Sequence, residues 1–534
     1  MKKYLYLLFF TLAFGSKLYG QSALVKQWDY RFGGTGIENV KCIQETNDGG
    51  YIIGGSSFSN IGGDKTQANW DTSLASSDYW IVKTDSLGIK EWDLNFGGTE
   101  GDFLYSVQET TDGGYILGGY SISDIGGDKT QASKGNLDYW IVKTDSLGIK
   151  QWDKDFGGTN DDVLLTLQQT SDEGYIIGGW SVSGISGDKT QASWGSSDYW
   201  ILKLDSMGNK QWDMDFGGTY EDNLICLQQT SDGGYIFGGT SNSDVSGNKT
   251  QANRDTIYPF THDYWIVKTD SIGNIEWQKD FGGTMTDNLV SVQETSDSGF
   301  ILGGNSDSGI SGDKTQATWG NTDFWIIKID SLGNKKWDRD FGGNNTEEYG
   351  YICLTNDGGF LIAGSSYSNI SGDKTENNFG IEQTWIVKGD SLGNKQWDKT
   401  IFTNSHDEDA LAVFTKDKCY TMANSSDGGI AGYKTQLSQG NYDYWIIKFC
   451  DTTSTTSMNQ ISNIENPFSI YPNPTNTLIH FFLLNSENLT ITDVFGKVVL
   501  QKKVKGEVEL DVSSLTAGIY FIRAGNAVRK FIKE

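Results

Sequence analysis

Acidic side chains are the groups in this sequence whose number and spacing could support catalysis. They recur in short polar segments that precede predicted strands: Glu100, Asp102, Asp161, Asp162, Glu221, Asp222, Glu347, Glu348, Asp407, Glu408 and Asp409. Two carboxyl groups about 5–10 Å apart can supply the acid and the base of glycoside hydrolysis. Because many pairs qualify, the pattern selects none of them, and a carbohydrate-active enzyme that uses loop-face carboxylates stays an alternative hypothesis.

Other catalytic patterns are absent from the sequence. The chain has three histidines, His262, His406 and His480. It contains no H-E-x-x-H, C-x-x-C, G-x-S-x-G or phosphate-loop motif. We therefore predict no catalytic residue and favour a protein that is not an enzyme.

A recurring loop motif supplies the candidate metal ligands. The pattern G-[DN]-K-T occurs in six loops, and its carboxylates are calcium candidates: Asp64, Asp128, Asp188, Asp313 and Asp373. Calcium is bound by several oxygen ligands at once, and the lysine beside each carboxylate partly neutralises it. A structural role in the loop is therefore favoured, calcium is the alternative, and no other cofactor is predicted.

Aromatic residues in the same loops are the candidate ligand-binding residues. One position shortly after each Lys-Thr pair reads Trp70, Lys134, Trp194, Arg254, Trp319, Phe379 and Gln439. Aromatic faces stack well on sugar rings and on protein surfaces. The selected candidates are Trp70, Trp194, Trp319 and Phe379 of these loops, together with Trp180 of a predicted second strand, with glycans or proteins as ligands. The alternative is a solvated acidic loop face with scattered aromatic residues.

A repeat of about 60 residues must position all of these side chains. One tryptophan series falls at Trp80, Trp140, Trp200, Trp265, Trp325, Trp385 and Trp445, and a second at Trp28, Trp92, Trp152, Trp212, Trp277, Trp337 and Trp397. Each copy holds four strand-like runs separated by Asp/Gly turns, for example residues 162–169, 175–182, 198–204 and 210–216. Helical periodicity is not sustained anywhere.

Seven copies of a four-stranded unit predict an all-β fold, a seven-bladed β-propeller over residues 21–450. The array begins with a fourth-type strand at residues 25–32 and ends with a third-type strand at residues 443–449. Pairing these two strands would close the ring and remove two sheet edges. The repeated tryptophans are then predicted to pack between blades, and the acidic segments and aromatic loops to share one face.

The turn between the first two strands of a copy follows the pattern T-x-D-x-G-[YF]. It begins at Thr46, Thr110, Thr170, Thr230, Thr295 and Thr355. The pattern resembles the Asp-box of sialidase-like propellers, which implies a turn that stabilises the fold. It does not imply sialidase chemistry, which uses three arginines, because the repeats hold only Arg31, Arg254 and Arg339 and their predicted positions are separate.

The five cysteines are too few for a disulfide-based scaffold. Cys419 opens the second strand of the last copy and Cys450 ends its third strand. Antiparallel pairing would place them opposite each other, so we predict a disulfide between them. Cys42 and Cys226 hold equivalent positions in first strands and are predicted to be small core residues, and Cys353 also lies in a first strand.

The net charge and the N-terminal residues indicate which partners and which cellular location the protein has. The net charge of −27 disfavours nucleic acid and anionic membranes as partners. Residues 1–20 combine two lysines with a short apolar run and predict a secretory signal peptide. No membrane span is predicted in the mature chain, because no other apolar stretch is long enough.

The composition changes at Asp451. Residues 451–465 are polar and predict a linker, and residues 466–534 predict a small C-terminal β-sandwich. The motifs YPNP at 471–474, DVFGK at 493–497 and L-x-A-G-I-Y-F at 515–521 resemble the type A C-terminal sorting domain of the Bacteroidetes type IX secretion system. This resemblance implies contact of residues 466–534 with the secretion machinery, export, removal of the domain, and release or attachment to the outer membrane.

The repeats resemble, more loosely, the delta-60-type propeller repeats of secreted bacterial proteins. The motifs that carry this resemblance are DGGYIIGG, DYWIVK and D-S-x-G, and they imply a fold without an activity. We therefore predict a secreted or cell-surface propeller that acts as a binding or adhesion module. A carbohydrate-active enzyme and a purely structural surface protein are the alternatives.

Overall fold

The computed structural model describes residues 24–71, 76–254, 261–451, 475–493, 497–524 and 527–534. The predicted signal peptide, nearly all of the predicted linker, the YPNP motif and the centre of the DVFGK motif lie outside these residues. The chain divides into two compact units, Met1–Thr453 and Ser454–Glu534. The described residues form strands, turns and loops and contain no helix, so the predicted all-β class is confirmed.

The first unit contains seven four-stranded antiparallel sheets, numbered here from sheet 1 to sheet 7 in chain order. The first strands are β2 (Glu38–Glu45), β6 (Asp102–Glu109), β10 (Asp162–Gln169), β14 (Asp222–Gln229), β18 (Asp287–Glu294), β22 (Glu347–Leu354) and β26 (Asp407–Phe414). The second strands are β3 (Tyr51–Ser57), β7 (Tyr115–Ser121), β11 (Tyr175–Ser181), β15 (Tyr235–Ser241), β19 (Phe300–Ser306), β23 (Phe360–Ser366) and β27 (Cys419–Ser426).

The third and fourth strands complete each sheet. The third strands are β4 (Asp78–Thr84), β8 (Asp138–Thr144), β12 (Asp198–Leu204), β16 (Asp263–Thr269), β20 (Asp323–Ile329), β24 (Gln383–Gly389) and β28 (Asp443–Asp451). The fourth strands are β5 (Lys90–Phe96), β9 (Lys150–Phe156), β13 (Lys210–Phe216), β17 (Ile275–Phe281), β21 (Lys335–Phe341), β25 (Lys395–Ile401) and, in sheet 7, β1 (Leu24–Phe32).

Strand β1 supplies the fourth strand of the last sheet from the beginning of the chain. It pairs antiparallel with β28 from Leu24 opposite Asp451 to Phe32 opposite Tyr444. Asp29 accepts hydrogen bonds from the Thr435 backbone N–H at 2.9 Å and from the Trp445 indole at 3.1 Å. These contacts repeat those that each of the other sheets makes within itself, so β1 occupies a regular strand position.

The turn between the first and second strands shows why its sequence repeats. Thr46 and the Gly50 N–H both donate to the Asp48 carboxylate, at 2.5 and 2.9 Å. Gly49 has a φ of 81°, which glycine adopts without strain. Lys83 of the third strand binds the same carboxylate at 2.8 Å. One aspartate thus ties the turn to the neighbouring hairpin.

Consecutive sheets pack through the tryptophan of the third strand, which is fully buried in all seven sheets. The Tyr79 ring of sheet 1 lies 4.8 Å from the Trp140 ring of sheet 2, and its hydroxyl donates to the Trp140 carbonyl at 3.0 Å. The same contact joins sheet 7 to sheet 1, where Tyr444 lies 4.9 Å from Trp80 and donates to its carbonyl at 3.2 Å.

The two cysteines that were predicted to pair lie opposite each other at the end of sheet 7. Cys419 in β27 is in register with Cys450 in β28, and a disulfide joins them across a Cα separation of 4.2 Å. The bond therefore fixes the end of the last strand that precedes the C-terminal unit. Of the remaining cysteines, Cys353 is buried, whereas Cys42 and Cys226 are only partly so.

A buried carboxyl group begins the first strand of each sheet and should make stability depend on pH. Burial raises the pKa of Asp102 and of Asp287 to about 7, although hydroxyl and backbone donors oppose it. Such a group holds a proton in the folded chain, but in the unfolded chain it loses that proton above its ordinary pKa of about 3.9. Each group therefore favours folding below that pKa, and the contribution is lost as pH rises toward 7.

We expect the thermal midpoint of unfolding to be higher at pH 5 than at pH 8. Each buried carboxyl contributes a slope of at most about 1.4 kcal/mol per pH unit. The near-isosteric Asp287→Asn variant has no proton to lose, so its midpoint should fall less between the two pH values. Calorimetry at constant ionic strength measures both proteins. An equal decline in both would show that Asp287 does not contribute.

The C-terminal unit forms a single four-stranded sheet and differs in this from the predicted β-sandwich. Its strands are β29 (Leu478–Asp493), β30 (Val498–Asp511), β31 (Gly518–Ala524) and β32 (Ala527–Lys533), and they make one sheet in the order β30-β29-β31-β32. The sequence indicated several short strands, but β29 and β30 continue through the polar residues that suggested breaks. Apolar side chains from both halves of the long hairpin share one core, including Phe481 and Ile491.

Candidate functional site

The predicted ligand-binding tryptophans lie in the loops between second and third strands. Trp70, Trp194 and Trp319 are 52%, 58% and 61% exposed. Each also contacts the next sheet: the Trp70 indole donates to Asp128 at 2.8 Å. The Trp194 ring packs on Gly247, where an added Cβ would lie 2.9 Å from the indole. These side chains therefore hold adjacent sheets together while one ring face stays open to solvent.

The two other aromatic candidates occupy different surroundings. Phe379 is 66% exposed and stacks on Phe402, with ring centroids 4.2 Å apart. Trp180 lies within β11, opposite Val163 of the first strand, and is partly exposed. The structure thus distributes the five candidates over sheets 1, 3, 5 and 6 and does not bring them together in one pocket.

The aspartates proposed as calcium ligands each meet a donor from the preceding sheet. Asp64 binds Arg31 at 2.6 Å, Asp188 binds Lys134 at 2.9 Å, and Asp313 binds Arg254 at 3.0 Å. The remaining two, Asp128 and Asp373, accept from Trp70 and Trp319. The lysine of the loop motif is buried in every sheet, as shown by Lys189, which lies 2.5 Å from Asp215. The loop aspartates therefore link neighbouring sheets, whereas a loop lysine such as Lys189 binds within its own sheet.

Sequence variation among the repeats is concentrated at one edge, which we call the variable edge. It consists of the residues on either side of the buried carboxyl that begins each first strand, the residue after each second strand, and the residue before each third strand. In sheets 6 and 7 these residues are Thr346, Glu348, Tyr367, Glu382, His406, Glu408, Asp427 and Tyr442. In sheets 2 and 3 they are Gly101, Phe103, Ile122, Leu137, Asp161, Val163, Val182 and Ser197. The edge is therefore polar at sheets 6 and 7 and mostly apolar at sheets 2 and 3.

Sheets 6 and 7 bring a histidine and two glutamates together at this edge. Glu382 precedes β24 and forms a parallel bridge with His406, which precedes β26. The His406 Nδ1 atom lies 3.5 Å from a carboxylate oxygen of Glu382. One ligand atom from each of Glu382, His406 and Glu408 lies within 4.8 Å of the other two. This trio is the one group of converging metal-ligating side chains in the described residues.

Two tyrosines orient the carboxylates of the trio. The Tyr367 hydroxyl donates to Glu382 at 2.8 Å, and the Tyr442 hydroxyl donates to Glu408 at 3.2 Å. Burial and the charge of Glu382 raise the pKa of Glu408 and of Glu348 above the usual range for glutamate. The cluster therefore combines carboxyl groups that take up protons readily with fixed hydroxyl donors.

A second polar group lies on the first strands beside the trio. Lys41 of sheet 1 binds Asp409 of sheet 7 at 2.7 Å. Asp409 and Tyr349 both have a φ of 70°, at the backbone bulges of β26 and β22. The other first strands also contain a bulge, but no non-glycine residue with a positive φ lies in them. Non-glycine residues in this region are strained, and such strain concentrates at functional sites. Burial, followed by the charge of Asp409, raises the pKa of Tyr351 well above its ordinary value.

Sequence reasoning identified Glu348 and Glu408 as acidic residues of this face but did not select them. It missed Glu382, Tyr367, Tyr442 and Lys41. These residues can be recognised in the sequence when the seven copies are compared position by position. The residue before the third strand reads Ser77, Leu137, Ser197, His262, Thr322, Glu382 and Tyr442, whereas the next residue is Asp in six copies and Gln383 in one.

Comparison with known proteins decides the nature of the C-terminal unit. Residues 469–534 match the family described as the secretion system C-terminal sorting domain. The protein carries a type IX sorting domain. The resemblance seen in the sequence is thus confirmed, and the domain directs the protein to the type IX secretion machinery. The protein is secreted or attached to the cell surface. In the described residues we find no helix that could span a bilayer.

Other similarities are distant. The regulatory protein FlaEY of Caulobacter vibrioides is 27% identical over 214 residues, which cover 35% of this chain and 22% of that protein. The chain therefore matches about a fifth of the length of this relative. A Dyadobacter fermentans protein of unknown function aligns over 80% of this chain and 99% of its own, with 8% identity and a TM-score of 0.41. The Neurospora crassa Pan2 WD40 domain aligns over 82% and 98%, with 9% identity and a TM-score of 0.42.

Proposed function

We propose that the seven sheets are the blades of a closed seven-bladed propeller that is completed by β1. The pairing of β1 with β28 supports this arrangement, because it gives sheet 7 a fourth strand. The contact of Tyr444 with Trp80 supports it as well, since the same contact joins sheets 1 and 2, 2 and 3, 3 and 4, and 4 and 5. A closed ring leaves no sheet edge between its first and last blades.

The proposed organisation assigns residues 1–20 to a signal peptide, 21–450 to the propeller, 451–465 to a linker and 466–534 to the sorting domain. In this scheme the protein comes from a member of the Bacteroidetes. Removal of the sorting domain during export would release the propeller or leave it attached to the outer membrane.

We propose further that the mature protein is an extracellular binding module whose ligand site is the variable edge. One observation supports this proposal most strongly. The strands and turns of the repeats have closely similar sequences, whereas the differences between repeats are concentrated at this edge. Packing between equivalent sheets requires the same residues in every copy, and it gives no reason for Phe103 in one sheet and Glu408 in another. Recognition of an asymmetric ligand does require such differences.

The composition of the edge and of the strand residues beside it favours a glycan as the ligand. The Phe103 and Tyr120 rings stack at 4.9 Å, and Tyr105 lies 5.7 Å from Tyr120. These aromatic side chains in sheet 2 offer apolar surface to the face of a sugar ring. The carboxylates Glu348 and Glu408 in sheets 6 and 7 accept hydrogen bonds from hydroxyl groups. An aromatic surface with a few placed polar groups is a common arrangement in ligand sites.

A glycan array tests this proposal with the mature propeller. We expect binding to fall at least tenfold in Glu348→Gln and in Trp180→Ala, because Glu348 belongs to the variable edge and Trp180 lies opposite Val163 of that edge. Leu147→Ala serves as the control, because Leu147 is 68% exposed in a turn at the opposite end of its sheet, and it should bind like the wild type. Equal binding by all three variants and the wild type, or loss in the Leu147 variant alone, would contradict the proposed site.

A carbohydrate-active enzyme is the second candidate function. The observation that favours it is the raised pKa of Glu348 and Glu408 beside Glu382. A carboxyl group whose pKa is raised is better suited to act as the general acid for a glycosidic bond. Release of reducing ends from the glycan bound by the array, abolished in Glu408→Gln, would establish this function in place of simple binding.

A further inference from the structure

We propose that Glu382, His406 and Glu408 bind one divalent transition-metal ion of the zinc class. The proposal goes beyond ligand recognition at the variable edge and does not depend on it. One imidazole nitrogen and two carboxylate oxygens converge within 4.8 Å. Zinc binds His nitrogen and Glu oxygen at about 2.0–2.2 Å, so the ligand atoms need to approach to about 3.3 Å of one another. Small side-chain rotations supply this movement.

The surroundings of the His406 Nδ1 atom are the second observation that indicates a bound ion. Its Nδ1 atom is buried and has no hydrogen-bond partner among the described residues. A buried polar atom without a partner costs free energy, and native structures seldom keep one without a reason. Because Nδ1 faces the Glu382 carboxylate at 3.5 Å, an ion between the two groups would use its lone pair.

The three ligands are held by backbone contacts and by outer hydrogen bonds. The Asp407 N–H donates to the Glu382 carbonyl at 3.2 Å, which fixes the segments that carry Glu382 and His406 beside each other. The His406 N–H donates to Asp427 at 2.9 Å. The Tyr367 and Tyr442 hydroxyls then orient the two carboxylates. Such outer partners usually fix the geometry of metal ligands.

The trio is a local feature of sheets 6 and 7 and not a consequence of the repeat. The corresponding residues between sheets 1 and 2 are Ser77, Gly101 and Phe103, and between sheets 4 and 5 they are His262, Thr286 and Asn288. Among the seven neighbouring pairs, only sheets 6 and 7 place three metal-ligating types together. Framework packing therefore does not explain the trio.

The donor set selects the kind of ion. Imidazole with carboxylates suits zinc, manganese, iron, cobalt or nickel, whereas calcium and magnesium are bound by oxygen alone. Three protein ligands also leave one position of a tetrahedral ion open. That position lies at the variable edge, so a water molecule or a ligand oxygen would complete the coordination.

Isothermal titration calorimetry on the mature, chelator-treated propeller tests the metal site. We expect one zinc ion per chain, with weak or no calcium and magnesium binding. His406→Ala and Glu382→Gln should each weaken zinc binding at least tenfold, and Tyr442→Phe by about tenfold. His262→Ala is the matched control, because His262 lies at the same edge in sheet 4 and should leave binding unchanged.

The outcome is interpretable whether or not a glycan is found, because zinc alone is the probe. Circular dichroism on each variant shows that the fold is retained, and anomalous diffraction at the zinc edge locates the ion. Absence of a one-to-one zinc site in the folded wild type would overturn the proposal. Zinc binding that survives in both His406→Ala and Glu382→Gln would overturn it equally.

Discussion

A chain that lacks residues 24–32 is expected to lose its cooperative thermal unfolding transition. Without β1, the strand β28 has an unpaired edge, and the buried Trp445 and Phe449 lose their cover. The Asp29 carboxylate that accepts from Trp445 and Thr435 is lost as well. Unpaired edges also promote aggregation. Calorimetry and gel filtration of the truncated and the intact propeller measure both effects.

The matched control removes a segment from the other end of the chain. Deleting residues 454–534 takes away the second compact unit and leaves every strand of the seven sheets in place. We expect this protein to unfold like the intact propeller. If the chain without residues 24–32 unfolds at the same temperature and with the same cooperativity as this control, β1 is not part of the last sheet.

The second large effect is expected from Trp200→Ala. The Trp200 side chain is fully buried, lies 4.9 Å from the Tyr139 ring and donates to Asp213 at 3.2 Å. Its truncation leaves a cavity between two sheets and a buried carboxylate without this donor. Such substitutions cost about 3–5 kcal/mol of unfolding free energy. Chemical denaturation followed by tryptophan fluorescence or circular dichroism measures the change.

Trp194→Ala provides the matched control for Trp200→Ala. Both tryptophans belong to the same repeat, but Trp194 is 58% exposed. We expect its substitution to cost about 1 kcal/mol or less. Equal losses in the two variants would show that the loop tryptophans are framework residues like those of the third strands. Exposure of the loop tryptophans would then no longer be a reason to expect that they bind a ligand.

The regular part of the fold could be predicted closely from the sequence. The runs predicted at residues 162–169, 198–204 and 210–216 coincide with β10, β12 and β13. The reason is that each strand is bounded by an Asp or Gly turn and repeated in seven copies, so local signals reinforce one another. The C-terminal unit lacks this redundancy. There, polar residues inside the long strands β29 and β30 were taken for turns.

The candidate site was harder to predict because it lies between repeats. Glu382 belongs to sheet 6, whereas His406 and Glu408 belong to sheet 7, and a parallel bridge between the two sheets brings them together. Local patterns describe one repeat at a time and do not show this contact. The exposed tryptophans were predicted to bind a ligand because aromatic side chains often do so, but their indole groups also hold adjacent sheets together.

Amide hydrogen exchange over residues 24–32 tests the central claim, that seven sheets close into one ring through β1, most directly. Protection in this segment depends on hydrogen bonds to β28. We predict that residues 24–32 exchange within about tenfold of residues 210–216, the equivalent fourth strand of sheet 3. Exchange of residues 24–32 within seconds, while residues 210–216 stay protected, would contradict the closed ring.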